Sequence, residues 1–107
     1  MIYVVAAEFA VPELSAARVA DWLGEQFTRW IEPVPNLWIV DGPLAAEQIL
    51  EGLTPLLRRG DRVVLVKAGT EAVWRGLSPE HASWMAEEFP GSITGRIPDS
   101  AEGRSGR

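Results

Sequence analysis

The chain has 107 residues, 47% of them hydrophobic, and a formal net charge of −5, which suits one globular domain with a two-layer core and argues against a disordered segment. It contains no cysteine, so disulfides and thiolate metal sites are excluded. Its apolar runs all fall short of the ~18 residues that cross a bilayer, so no membrane association is expected.

Residues 2–9 (IYVVAAEF) read as a first strand, with Ile2, Val4 and Ala6 on one face and Tyr3, Val5, Ala7 and Phe9 on the other. Both faces are apolar, as in a strand interior to a sheet. A helix follows over about 14–27, with Ala16, Val19, Ala20, Leu23 and Phe27 on one stripe and Arg18, Asp21 and Glu25 opposite. FTRWIEPVPNLWIV reads as a hairpin with strands near 28–33 and 36–41. Pro33 and Pro35 cannot donate to a ladder, so the first of these is expected at a sheet edge, with the turn around Val34–Asn36.

A second helix is predicted over 44–58. Ala46, Ile49, Leu50, Leu53, Leu56 and Leu57 form its buried stripe, and Pro55 should kink it or tighten its last turn. Arg58 and Arg59 suit its C-terminal dipole, and Gly60 is its expected stop. DRVVLVK, 61–67, is the fourth strand. A short helix is expected near 79–89, with Ser78 as N-cap, Pro79 in the first turn and a stripe of Ala82, Met85, Ala86 and Phe89. Beyond it, residues 91–107 are polar and rich in Gly and Ser, which predicts a flexible tail after a domain spanning 1–90.

The order β-α-β-β-α-β is that of two split βαβ units, the α+β ferredoxin-like arrangement. Right-handed crossovers put both long helices on one face of a four-stranded antiparallel sheet of order 4-1-3-2, with the short C-terminal helix added. This order makes the fourth strand an edge, yet Val63, Val64, Leu65 and Val66 are apolar on both faces. A bare edge of that composition invites aggregation. A two-fold homodimer built on it is the favoured cover, and the chain after Gly69 is the alternative.

Several stretches resemble a known family: MIYVVAAEF, the hairpin RWIEPVPNLWIVDG, LAAEQILEGLTPLL, RGDRVVLVKAG and GLSPEHASWMAEEF. Together, over about residues 1–89, they resemble the small SinR-like proteins, which are related in fold to the CRISPR-associated endoribonuclease of spacer acquisition and to virulence-associated protein D. The resemblance implies a ferredoxin-like homodimer assembled with the help of the fourth-strand edge. In the nuclease relatives the first strand ends in Tyr-Asp, and the two aspartates meet across the dimer axis to hold a divalent metal. Here that pair is Ala7-Glu8: the acid is longer by a methylene and the tyrosine is gone. Magnesium demands tight geometry from its few carboxylates, so the departure weighs against metal-dependent cleavage.

Glu8 and Asp41 are the candidate catalytic pair. As the C-terminal ends of strands one and three, read as parallel neighbours, they are expected on one rim, a strand spacing or ~5 Å apart, where two carboxylates doubled by a two-fold axis would hold Mg²⁺ or Mn²⁺. The ordinary reading makes Glu8 a solvated residue after a strand and Asp41 the cap of the second helix. His81 is the single histidine and is expected exposed. No glycine loop for a nucleotide appears, so no cofactor is expected beyond that metal. Of Trp22, Trp30, Trp38, Trp74 and Trp84, Trp38 belongs to the core, and Trp30 and Trp74 are the expected exposed pair.

Arg58, Arg59 and Arg62 are candidates for nucleic-acid contact. Residues 1–90, however, carry 7 Lys/Arg against 13 Asp/Glu, the opposite of a nucleic-acid binder's balance. The N-terminus shows no basic stretch or cleavage motif of a signal peptide, and a cytoplasmic setting is the simplest. The leading expectation is a dimeric interaction or assembly protein without catalysis, linked to defence or mobile elements. A Glu8-dependent metal endonuclease and an acidic inhibitor or nucleic-acid decoy are the alternatives.

Overall fold

A computed structural model describes residues 1–90; the expected flexible tail, 91–107, lies outside the described residues. The elements are β1 (Ile2–Glu8), α1 (Pro12–Gln26), β2 (Arg29–Val34), β3 (Leu37–Asp41), α2 (Ala46–Leu53), a 3₁₀ turn (Thr54–Leu56), β4 (Arg62–Lys67) and α3 (Pro79–Glu88). The chain divides into two compact units, Met1–Ala68 and the segment from Gly69 on.

In the first unit the four strands form one sheet in the order β2-β3-β1-β4, with every neighbouring pair antiparallel. This is the ferredoxin-like order expected from the sequence. One face of the sheet builds the core: Tyr3, Val5, Trp38 and Val40 are buried with Val19, Leu23 and Phe27 of the α1 side and Ile49 and Leu53 of α2. Both long helices therefore cover the same face. Phe9 meets Trp38 edge-on at a centroid distance of 6.4 Å, a geometry worth about 0.5–1.5 kcal/mol beyond area burial. Burying Trp38 has a cost, because its Nε1 donor finds no partner among the described residues, a deficit on the order of 1–3 kcal/mol.

The prolines act where their chemistry dictates. Pro33 lies where the β2–β3 register shifts between Ile31 and Val34, a bulge that absorbs its missing donor on an edge strand. The hairpin turns through Asn36, which takes a φ of 61°, a left-handed conformation that Asn tolerates better than most residues. Its N–H donates to the Glu32 carboxylate at 2.9 Å. Pro55 converts the end of the second helix into the 3₁₀ turn, as expected from its missing N–H.

Three helix details depart from the pattern in the sequence. The second helix begins at Ala46, where the Gln48 side chain accepts from the Ala45 N–H at 2.8 Å, so Asp41 does not cap it. Leu50, placed on the buried stripe, is 45% exposed, because after Ile49 and Leu53 fill the core line the next position turns to water. Arg58 and Arg59 follow the helical residues and decorate a turn rather than a helix end. That turn closes at Gly60, with φ of 90°, a left-handed value that glycine adopts without strain.

In the second unit, the Ser78 Oγ accepts from the His81 N–H at 3.2 Å and caps α3, with Pro79 opening its first turn. Met85 and Phe89 are buried, which matches two positions of the expected stripe. Ala86 is exposed, and His81 is half-buried rather than exposed.

Candidate functional site

β4 pairs with β1 along its whole length, from Tyr3 opposite Lys67 to Glu8 opposite Arg62. It stands last in the sheet order, so no described strand takes its outer hydrogen-bonding groups. Its side chains alternate. Val63 and Leu65 turn to the helix-covered face and pack against the core, whereas Val64 and Val66 are 58% and 53% exposed. The four apolar residues that the sequence marks as one edge thus split into two that belong to the core and two that face solvent.

The face turned away from α1 and α2 shows why Val66 matters. Register aligns Ile31, Ile39, Val4 and Val66 in one row across all four strands. Ile31 and Ile39 are buried, Val4 is half-buried, and the row ends exposed at Val66. Beside it, Ala6 pairs with Val64, and a shallow depression lined by Ala6, Ala7, Glu8, Arg62 and Val64 runs along this edge.

Glu8 closes that depression. Its carboxylate accepts from the Arg62 guanidinium directly across the ladder. Both side chains are at least 70% exposed, so this pair contributes no more than about 1 kcal/mol. Its importance is chemical: the acid that a metal would need already has a cation.

Asp41 is elsewhere. The sheet is antiparallel, so Asp41 pairs with Ile2 at the start of β1 while Glu8 stands at its other end. Six residues of strand separate the two positions, about 20 Å at ~3.3 Å per residue. The expected pairing on one rim fails because neighbours in this topology run in opposite directions. Asp41 instead faces the Met1 amine at 3.4 Å. Among the described residues no three His, Asp or Glu side chains form a set that would hold a metal ion. Within one chain Glu8 is thus a single exposed carboxylate engaged by arginine, fewer ligands than Mg²⁺ or Mn²⁺ takes.

None of the five tryptophans stands fully exposed. Trp38 is wholly buried, and Trp22, Trp30, Trp74 and Trp84 are all half-buried. Trp30, expected exposed, lies on the helix-covered face in register with Val40 and packs on the core next to Gly24. Trp22 lies against Gly52 between the two long helices. Trp74, the other half of the expected exposed pair, is likewise partly covered.

The polar centre that sequence reasoning passed over is Asp61. One carboxylate oxygen accepts from the Ala10 N–H at 2.8 Å; the other accepts from the Ser15 hydroxyl at 2.9 Å and the Arg58 N–H at 2.7 Å. These donors, the Arg58 amide foremost, hold its carboxyl below the ordinary carboxylate value. The cluster ties the β1–α1 loop and the first turn of α1 to the turn before β4, which fixes where the edge strand begins. The signal for it was Ser15, a polar residue four before Val19 on the buried line of α1, where it is wholly buried.

Arg58, Arg59 and Arg62 are all exposed, with Arg62 committed to Glu8. Compared with known proteins, the chain matches no protein-family model and no curated protein.

Proposed function

We propose that this chain is a non-catalytic interaction and assembly module of the ferredoxin-like fold, and that its working element is the outer edge of β4. The observation that carries the reading is an edge strand with no described neighbour on its outer side and with Val64 and Val66 more than half exposed. A second polypeptide strand added there satisfies the open backbone groups and covers the valines. A second copy is the first occupant this reading expects, giving a homodimer, the arrangement that the resemblance to SinR-like proteins implies together with a role in defence or mobile-element systems.

Magnitudes make this dimer weak. Burying a half-exposed valine yields about 1 kcal/mol. Four of them across a two-fold axis give about 4 kcal/mol, comparable with the lower bound on the cost of association. Backbone pairing must supply the rest, and a dissociation constant of about 1 μM or weaker is expected.

Replacing Val64 by Lys tests the reading. Light scattering should report a concentration-dependent dimer for the native chain and a folded monomer for V64K; a native chain that stays monomeric, or a V64K variant with unchanged mass, overturns it. The endonuclease alternative rests on Glu8. Cleavage of RNA or DNA with Mg²⁺ or Mn²⁺ that disappears in Glu8→Gln would reinstate it, against the expectation from the Glu8–Arg62 pair.

A further inference from the structure

The charge of the first unit is divided unevenly, and the division falls on β4. Residues 1–57 hold two cations, Arg18 and Arg29, against eight carboxylates. Residues 58–67 hold Arg58, Arg59, Arg62 and Lys67 against the single Asp61. All four cations are exposed. Arg62 is engaged by Glu8 and Asp61 is turned into its own loop, while neither Arg59 nor Lys67 has an ion pair among the described residues. An otherwise acidic unit therefore presents a basic border with two exposed valines in its middle.

A second copy is a poor electrostatic match for that border. Residues directly opposite in an antiparallel pair share a face, so Val64 of one copy sits opposite Val64 or Val66 of the other. Either register brings the basic ends of both copies to one junction about 20 Å long, with Arg62 on the Val64–Val66 face and Lys67 on the Val63–Leu65 face. Those like charges that come within a Debye length of ~8–10 Å of one another oppose pairing.

We propose that the β4 edge recognises an acidic, extended polypeptide segment by strand addition, and that such a segment displaces the second copy. This rests on β4 being the assembly element. The segment's backbone pairs with the open side of β4, its apolar residues cover Val64 and Val66, and its flanking carboxylates meet Arg59 at one end and Lys67 at the other. The interleaved valines and the backbone groups left open among the described residues favour polypeptide over nucleic acid, since a phosphate chain uses neither.

The probe is a fluorescent peptide of about eight residues, two glutamates at each end and valine or isoleucine between. A version with lysines for glutamates and a single-stranded oligonucleotide of similar charge serve as comparisons. Anisotropy should show the acidic peptide bound at least about tenfold more tightly than the lysine peptide, weakening about tenfold from ~0.05 to ~0.5 M salt. Light scattering should show it converting dimer to monomer. The double variant R59E/K67E should reverse the preference and bind the lysine peptide, a gain that misfolding does not produce. Equal affinity for both peptides, no binding, or binding of the oligonucleotide alone overturns the proposal. If V64K abolishes the dimer but the acidic peptide does not bind, this inference fails while the assembly reading stands; a native monomer that binds neither peptide removes both.

Discussion

Asp61 shows how one carboxylate organises a functional border without taking part in chemistry. Three donors from three parts of the chain converge on it, and each favours the ionised form. Its value is therefore lower in the folded chain than in the unfolded one. The stability it adds is fully present above the unfolded carboxylate value and is lost as pH falls through the lowered folded value. Urea midpoints measured across an acid pH series should fall in that window for the native chain. Asp61→Asn, which keeps the shape but not the charge, should have a lower midpoint at neutral pH and a smaller loss in acid. An Asp61→Asn profile parallel to the native one would show that the three donors do not discriminate charge.

Among elements, the contact of α1 with α2 depends on the absence of a side chain at Gly52. A Cβ there would lie 2.0 Å from the Trp22 ring, so the indole must move. Helix propensity alone favours alanine by about 1 kcal/mol, but overpacking costs about 1–3 kcal/mol. Gly52→Ala should thus be destabilised by up to about 2 kcal/mol in urea unfolding. Gly24→Ala is the comparison, because the nearest Trp30 atom is 3.3 Å away and the ring needs to yield only slightly. That variant should be neutral or slightly stabilised.

Elements are also where the sequence was most legible. Tyr3 and Val5 alternate with Ile2 and Val4, and Val19, Leu23 and Phe27 repeat every four residues, so core-facing strand and helix lines follow from spacing alone. Pro33 and Pro55 act locally, through a missing donor, and their effects were readable for the same reason. Leu50 misled because a stripe defined only by apolarity is wider than the line that packing can bury. The Glu8–Asp41 pair needs strands one and three to be parallel, whereas the antiparallel order read from the same sequence already puts their ends on opposite rims. Asp61 went unseen because its partners Ala10 and Ser15 lie 51 and 46 residues away and meet it only once the sheet has formed.

For the whole molecule, the sign of the salt response separates two modes of assembly. Joining two copies through β4 brings basic borders together, so raising salt screens repulsion and should tighten the homodimer. An acidic strand on the same edge is attracted, so salt should weaken it. Sedimentation of the native chain from ~0.05 to ~0.5 M salt should shift toward dimer. A shift toward monomer would mean that attraction between opposite charges, rather than the valine seam, holds the copies together.

The placement of the indoles has a practical consequence for such experiments. All five tryptophans lie off β4, and the one wholly enclosed ring, Trp38, sits on β3, two strands in from that border. Emission from Trp38 is thus a thermometer for the melting interior and nearly blind to events on the rim. Binding there must be followed with an extrinsic label or by hydrodynamics, and a silent ultraviolet signal on mixing would carry no weight against complex formation.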